Sequence, residues 1–325
     1  MATMKDVAKL AEVGVGTVSR VINNSTGVKP ATRERVEAAI RELGYVRDEY
    51  ARGLKTNSSQ TVALILPTIW NPFFAEFAYF VEQALYQRQY KLLLCNSSGD
   101  YEKEYQYIQM VTQNKVDGII GITYSAIDQY VSSKLPFVSI DRYFTEDISY
   151  VTSENFAGGK LAAQQLLDHG ARHLAYISGY SKYKNETTRR RDGFNSLLMQ
   201  RGIEADEIFV PEPVTGLPKL VDGLLKRRPD LDGIFCVNDL MLLQVKEILN
   251  QRQISVPDDI QMIGYDGFNL TDDQPLGVST IKQPVAEMAQ AAVKILFQKI
   301  KNPDSPSEIE VLPVSYREGW TTKAK

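Results

Sequence analysis

The hydrophobic pattern divides the chain into two unlike parts. In the first sixty residues, short apolar stripes recur every three or four positions, the spacing of amphipathic helices. From residue 61 onward, short apolar runs alternate with longer amphipathic stretches, the order typical of βαβ units with buried parallel sheets. The pattern therefore predicts a small all-α region followed by a larger α/β core.

Three short helices are predicted in the all-α region. Thr3, followed by Asp6, is a typical N-cap with an acidic third position. The segment "VGTVSRVIN" (15–23) predicts a second helix, and a third is predicted to begin at Thr32 and to end at Gly44. Two tightly joined helices followed by a third form a helix-turn-helix arrangement.

The outer face of the second helix is suited to DNA. A recognition helix presents small or polar residues to the major groove, together with an arginine that can bond guanine, and Arg20 meets that need. Val15 and Gly16 offer no hydrogen-bonding side chain, so bases there must be read by apolar or indirect contacts. The remaining polar residues of this face can bond phosphates: Thr17, Ser19 and Asn23.

Charge is distributed unevenly between the two parts. Residues 1–60 hold ten Lys and Arg against seven Asp and Glu, whereas the remainder holds 27 against 33. A basic head on an acidic body indicates a head that contacts a polyanion. A solvated charged surface would account for the charge equally well by itself.

Composition argues against several other classes of protein. The N-terminus, "MATMKDVAKL", lacks a signal-peptide core, and no apolar run reaches the length of a membrane span. Two cysteines, Cys95 and Cys236, give no disulfide framework, so we expect a cytoplasmic protein. Two histidines argue against a metal site or a Ser-His-Asp triad, and no nucleotide-binding loop occurs. We therefore expect no catalysis, cofactor, metal or membrane partner.

The core pattern predicts two lobes. The alternation of predicted strands and helices is interrupted near 150–160 and 280–284, so the chain should cross between the lobes more than once. Ligands of open α/β sheets bind at the carboxyl ends of the strands, which here would face a cleft. Strands are predicted at 61–67, 91–95, 117–122, 136–140, 173–178, 233–238 and 260–265. Helices are predicted at, for example, 73–89, 156–169, 239–252 and 285–301.

Polar and aromatic residues follow the predicted strands. A sugar needs an aromatic face for its C–H side and Asp, Asn or Arg for its hydroxyls. For each Asp or Asn, helix capping is the alternative role. The run Arg189–Arg191 could indicate an anionic effector, unless two of the three lie on the surface. The candidates are Ile69, Trp70, Asn71, Phe73, Phe74, Asp141, Arg142, Arg190, Asn238, Asp239 and Asp266.

Several segments resemble one family. "KDVAKLAEVGVGTVSRVIN", "TRERVEAAIRELGY" and "ARGLKT" resemble the headpiece of the lactose-repressor/galactose-repressor (LacI) family of bacterial transcription regulators. "VTSENFAGGKLAAQQLLDHGARHLAYISG", "RRDGF", "FCVND" and "IGYDG" resemble its periplasmic-binding-protein-like core of two doubly wound parallel-sheet lobes. The resemblance implies a homodimeric repressor of a sugar-utilisation operon, with a pseudo-palindromic DNA operator and a small sugar effector in the cleft between the lobes.

The resemblance also implies a division of the chain and a set of binding residues. Residues 1–47 match the headpiece, 48–60 the hinge helix and linker, and 61–325 the core. The N-lobe takes about 61–153 and 282–310, and the C-lobe about 154–281 and 311–325. Implied DNA contacts are Thr3, Val15, Gly16, Thr17, Ser19, Arg20, Asn23, Tyr45, Arg52, Leu54 and Lys55. Implied effector contacts are Ile69, Phe73, Asp141, Arg190, Asn238 and Asp266.

The hinge segment carries the most specific of these expectations. In the family, the segment matching "DEYARGLK" folds when two copies meet on an operator, and the residue matching Leu54 enters the minor groove. The free energy of binding offsets the entropy cost of ordering such a segment, and an apolar side chain inserted between base steps bends the duplex. Leu54 as an ordinary linker residue is the alternative.

The sequence departs from the family pattern in the head. Glu12 replaces the usual glycine between the first two helices, where a left-handed backbone would strain it, and Gly14 replaces the usual serine cap. Arg47-Asp48 replaces the usual Pro-Asn before the hinge. Without leucine heptads near Lys325, a dimer is favoured over a tetramer.

Three alternative functions stay open at this point. A catabolite-control-type regulator of the same family would bind a phosphorylated phosphocarrier protein. A sugar-binding transport protein would share the core but not the head. An α/β enzyme with a DNA-binding head would need catalytic motifs that the sequence lacks.

Overall fold

A computed structural model of the chain describes residues 2–46, 58–113, 115–183, 185–271 and 273–324. The chain divides into two compact units, and the boundary in the sequence falls between Ser59 and Gln60. Arg52, Leu54 and Lys55, with most of the predicted hinge, lie outside the described residues.

Residues 2–46 of the N-terminal unit form three helices: α1 (Met4–Leu10), α2 (Val15–Ile22) and α3 (Pro30–Glu42). The predicted cap of α1 is confirmed, because the Asp6 amide donates to Thr3 Oγ1 and the Asp6 carboxylate accepts from the Thr3 amide. Glu12 has a φ of 52°, in the left-handed region, and Gly14 caps α2 in an extended conformation, both as expected.

The predicted start of α3 is wrong by two residues. Lys29 is the N-cap residue, Pro30 is the first residue of the helix, and Thr32 lies inside its first turn. Proline suits the first helical position because its φ is already helical and its missing N–H would be unpaired there anyway. Val7, Val18 and Val36, one from each helix, are fully buried and form the centre of a small core.

The second unit contains two six-stranded sheets. In the first sheet all neighbouring strands are parallel, in the order β13-β5-β4-β3-β1-β2. Its strands are β1 (Thr61–Leu66), β2 (Lys91–Asn96), β3 (Gly118–Gly121), β4 (Phe137–Ile140), β5 (Ser149–Ser153) and β13 (Ile309–Leu312). The helices of this N-lobe are α4 (Pro72–Tyr86), α5 (Tyr101–Thr112) and α10 (Val285–Lys301), with a 3-10 turn at Asp128–Tyr130. Buried apolar residues cover both faces of the sheet, as parallel sheets require.

The second sheet has the order β14-β12-β9-β8-β6-β7 and is parallel except for β14, which pairs antiparallel with β12. Its strands are β6 (Leu174–Tyr180), β7 (Asp206–Pro211), β8 (Gly233–Cys236), β9 (Gln261–Asp266), β12 (Thr280–Lys282) and β14 (Ser315–Arg317). The helices of this C-lobe are α6 (Asn155–Asp168), α7 (Thr188–Gln200), α8 (Leu217–Arg227) and α9 (Asp239–Gln251). A small hairpin follows β9, formed by β10 (Asn269–Thr271) and β11 (Gln274–Pro275).

The chain crosses between the lobes three times, after β5, after β12 and after β13. Two of these crossings lie where the sequence pattern pauses. The strands β12 and β13 straddle the approximate lobe boundaries predicted at 281 and 310. The structure therefore assigns Lys282 to the second sheet and the last two residues of β13 to the first. Among the helices of the described ranges, none is long and apolar enough to cross a membrane.

Candidate effector site and DNA-binding face

The carboxyl ends of several strands bring polar side chains together between the lobes. Asp141 follows β4, Asp266 ends β9, and Asn155 begins α6 directly after the first crossing. Arg190 lies in the first turn of α7. All four residues are at least 95% buried, so their polar atoms must find partners within the protein.

Arg190 is at the centre of this cluster. Its Nη1 lies 3.5 Å from Asp266 Oδ1 and donates to the Val237 carbonyl at 2.7 Å. Its Nε donates to Asn155 Oδ1 at 2.7 Å. The guanidinium also lies over the Tyr265 ring, 3.7 Å from the centroid. These contacts fix a planar donor group of the kind that binds hydroxyls and carboxylates in two places at once.

Two glycines allow the helix of Arg190 to approach α6 closely. A methyl group on Gly159 of α6 would overlap the Arg190 carbonyl, and one on Gly193 of α7 would overlap the Phe156 carbonyl. The two helix backbones therefore touch. This contact sets the distance between Asn155 and Arg190, which lie at the ends of the two helices nearest the cleft.

The acidic groups of the cluster are held by neutral partners from the crossings. Asp141 accepts from Thr152 Oγ1 at 2.6 Å, and burial raises its pKa although the Arg190 charge opposes the rise. Asp266 accepts from Gln283 Nε2 at 2.9 Å, and burial raises its pKa to about 7. Gln283 accepts in turn from Ser153 Oγ at 2.7 Å. The network thus joins residues of both lobes and of two crossings.

A cavity of about 260 Å³ lies next to this network, on the side of the crossings. It approaches the size of small-molecule pockets, whose lower bound is roughly 300 Å³. Its lining includes residues of the network and of the loop before α7: Tyr150, Thr152, Ser153, Asn155, Glu186 and Arg189.

Ile69 and Phe73 lie in different surroundings, whereas Asn238 follows Val237 at the carboxyl end of β8. Ile69 is 44% exposed in the turn between β1 and α4. Phe73 is buried in the N-lobe core, edge-to-face with Phe74 at 5.7 Å. Asn238 caps α9 by accepting from the Met241 amide at 2.8 Å, which is the alternative role considered for it. The structure therefore brings together Asp141, Arg190 and Asp266 out of the predicted set, and Asn238 is next in the chain to Val237, whose carbonyl accepts from Arg190.

The sequence did not indicate the neutral members of the network: Thr152, Ser153, Asn155, Tyr265 and Gln283. Ser153 ends β5, Asn155 begins α6 and Gln283 follows β12, so the strand-end rule that selected the aspartates could have found these three. Thr152 and Tyr265 are the penultimate residues of β5 and β9, and the rule does not select them.

The three consecutive arginines have three different environments. Arg190 is buried, whereas the Arg189 side chain is 55% exposed and pairs with Glu186 at 3.2 Å. Arg191 pairs with Glu207 at 2.6 Å and is one-third exposed. One guanidinium of the run thus belongs to the cleft.

The predicted DNA-binding face lies on the outside of α2. Val18 and Val21 are buried, whereas Arg20 is exposed. Val15, Gly16 and Asn23 are exposed with it, and Thr17 and Ser19 are half-buried. Thr3 is engaged in the cap of α1, and Tyr45 packs partly against the core of the head.

A helical head with an exposed polar recognition face, joined to a two-lobed α/β core with a buried polar cleft, defines the class of ligand-responsive DNA-binding regulators. Residues 3–48 match the family described as "Bacterial regulatory proteins, lacI family", and residues 163–322 match the "Periplasmic binding protein-like domain". The chain is 36% identical to a sucrose operon repressor of Pediococcus pentosaceus over 98% of both chains. The chain belongs to the LacI family.

Solved structures agree with this assignment. A complex titled "transcriptional regulator CelR-cellobiose complex" is 28% identical, with a TM-score of 0.70 and coverage of 99% of this chain and 100% of that chain. The Lac repressor dimer bound to operator and the anti-inducer ONPF is 21% identical over 99% of both chains, with a TM-score of 0.82. The second match shows the shared fold.

Proposed function

We propose that this protein is a repressor of a sugar-utilisation operon. It acts in the cytoplasm as a homodimer on a pseudo-palindromic operator, and a small sugar in the cleft controls its affinity for DNA. The observation that carries the proposal is the buried network around Arg190, which takes side chains from both lobes. A ligand held by such a network has different affinities for different lobe arrangements, and that difference is the source of allosteric control.

The chemistry of the network supports an uncharged sugar. Asp141 and Asp266 both lie near Arg190, so the guanidinium is already matched by carboxylates. Burial raises the pKa of both acids, which means that further negative charge is unfavourable there. A phosphate ester would add that charge, whereas sugar hydroxyls can donate to the carboxylates and accept from the guanidinium. The sucrose and cellobiose named for the similar proteins are uncharged disaccharides.

The head supports the choice of repressor over transport protein. Its α2 face presents Arg20 beside small residues, the arrangement that a major groove accepts. Two-fold symmetry of a dimer would match a palindromic site. Effector binding would alter the spacing of the two heads through the lobes and the hinge.

The DNA part of the proposal is tested by selecting binding sites from random duplexes with the full chain. We expect one enriched near-palindrome whose affinity falls steeply with salt. Arg20→Ala should weaken specific binding by about tenfold to a hundredfold, the worth of one bidentate base contact. Arg41→Ala, at an exposed position of α3, is the matched control and should cost less than about threefold. Failure to enrich any site would refute the proposal.

The effector part is tested by thermal shift of the full chain with sucrose, cellobiose and ribose, and with the 6-phosphate esters of glucose and sucrose. A ligand of the folded state raises the midpoint by mass action. We expect a rise with an uncharged sugar and none with the esters. A rise with an ester alone would refute an uncharged effector, and capture of a phosphorylated phosphocarrier protein would favour the catabolite-control alternative.

A further inference from the structure

The two lobes also touch through two loops that lie beside the first strand crossing but are not part of it. The loop after β4, in the N-lobe, meets the loop between β6 and α7, in the C-lobe. The Glu186 amide donates to the Asp141 carbonyl at 2.8 Å. The Arg142 guanidinium lies 5.2 Å from the centroid of the Tyr183 ring. Because no strand passes between these loops, the contact can open while the crossings stay intact.

The N-lobe side of this contact is held rigidly. Arg142 is 2% exposed. Its Nη2 donates to Asp128 at 2.7 Å and its Nη1 to the Ser125 carbonyl at 2.7 Å. The guanidinium also lies 4.4 Å from the centroid of Phe144. Since its position is fixed by its own lobe, Arg142 offers a preformed cation to an aromatic ring arriving from the other lobe.

The C-lobe side is a run of local hydrogen bonds between Tyr183 and the start of α7, beginning with Asn185 Nδ2, which donates to the Tyr183 carbonyl at 3.4 Å. Asn185 Oδ1 accepts from the Thr187 amide at 3.1 Å and from Thr187 Oγ1 at 2.6 Å. Glu186 is buried and pairs with Arg189. The helix α7 begins at the next residue, Thr188, and Arg190 is in its first turn. A shift of Tyr183 therefore moves the start of the helix that carries Arg190.

We propose that Arg142 and Tyr183, with the hydrogen bond from the Glu186 amide to the Asp141 carbonyl, form an interlobe latch. Arg142 and Tyr183 are positioning residues: they hold the lobes closed and place Arg190 without contacting the effector. The strength of the latch sets the fraction of chains in the closed arrangement. The apparent effector affinity scales with that fraction. This last step rests on the proposed function, whereas the latch itself does not.

The latch is tested by amide hydrogen exchange of the full chain without ligand, comparing Tyr183→Ala with Tyr183→Phe. The phenylalanine keeps the ring over Arg142, so its exchange should equal that of the native chain. We expect Tyr183→Ala to speed exchange at Glu186 by about fivefold, in line with one partly buried cation–π contact. Exchange in β8, in the core of the same lobe, should not change. Equal exchange at Glu186 in the two variants, or faster exchange throughout the C-lobe in Tyr183→Ala, would overturn the latch.

Coupling to the effector is tested by calorimetric titration with sucrose. We expect the apparent sucrose Kd of Tyr183→Ala to rise in inverse proportion to the closed fraction, and that of Tyr183→Phe to stay unchanged. An unchanged Kd in both variants, alongside altered exchange, would overturn the positioning role. If native protein does not bind sucrose, the effector assignment fails, while the exchange result still decides whether the latch exists.

Discussion

Removal of the Arg190 guanidinium should destabilise the core far more than removal of its neighbour. Arg190→Met keeps an apolar side chain of similar length in the buried site. It leaves the Val237 carbonyl and Asn155 Oδ1 without their donor and Asp266 without its cation. Breaking a buried pair in this way costs about 3–5 kcal/mol, because the remaining groups stay desolvated.

Arg189→Met is the matched control, since the same substitution is made one residue earlier in the same helix. The Arg189 side chain is 55% exposed, whereas the side chain of its partner Glu186 is 6% exposed, so solvent reaches only the arginine end of this pair. Because solvent screens the half-exposed Arg189 guanidinium, its removal should cost less than removal of the fully buried Arg190 guanidinium. Both variants lose one guanidinium, so the difference between their free energies of unfolding reflects the deeper burial of Arg190.

The assay is urea unfolding of both full-length variants, followed by far-ultraviolet circular dichroism at pH 8 and at pH 5. Loss of the guanidinium should raise the pKa of Asp266 further, since the Arg190 charge lowers it. Protonation at pH 5 should then reduce the penalty of Arg190→Met. Free energies of unfolding within about 1 kcal/mol of each other for the two variants at pH 8 would refute the reasoning.

Three further predictions concern acid titration, helix packing and a strained turn. Burial raises the pKa of Asp266 to about 7 from 3.8, so the folded state retains a proton that the unfolded state releases between these values. Core stability should therefore rise as pH falls from about 8 to about 5, and Asp266→Asn should flatten this slope in urea titrations. Gly193→Ala should cost about 3 kcal/mol or more, whereas Gly223→Ala in α8, where a methyl meets ordinary contacts, should gain about 0.5–1 kcal/mol in the same assay. Glu12→Gly should slow amide exchange in α1 and α2, because it relieves a φ of 52° at a cost of roughly 1 kcal/mol.

Each of these has an outcome that would contradict it. Identical pH slopes for the native chain and Asp266→Asn would place the proton elsewhere. Equal stability of the two alanine variants would show that α6 and α7 can separate without loss. Unchanged or faster exchange in Glu12→Gly would mean that the turn is not under strain.

The sequence pattern predicted the acidic residues at the strand ends of the cleft, but not the neutral residues that hydrogen-bond to them. Asp141 and Asp266 follow or end apolar strands, and the carboxyl ends of parallel strands share one edge, so both could be placed from pattern alone. Gln283 and Ser153 come together because the chain crosses between the lobes twice near them. The hydrophobic pattern around Ser153 and that around Gln283 do not indicate that these two residues form a hydrogen bond.

Two of the strands that the pattern missed have mixed faces. The strand β7 lies at the edge of its sheet, reads "DEIFVP" and is largely half-exposed, so it lacks the apolar run that marked the central strands. The strand β13 is also at an edge and alternates exposed and half-buried residues. The start of α3 was misplaced because Thr32 is a good cap by residue type, whereas Pro30 fixes the helical backbone two residues earlier.

The order in which the strands enter the two sheets also bears on synthesis. The N-lobe sheet is completed by β13, and the C-lobe sheet by β14, although most of their strands come from much earlier in the chain. A polypeptide emerging from the ribosome can pair β1 to β5 early, but the edge of β5 stays open until residues 309–312 have been made. Both lobes should therefore reach their final form almost together, once residues 309–317 have been made, and neither should fold fully as a contiguous fragment.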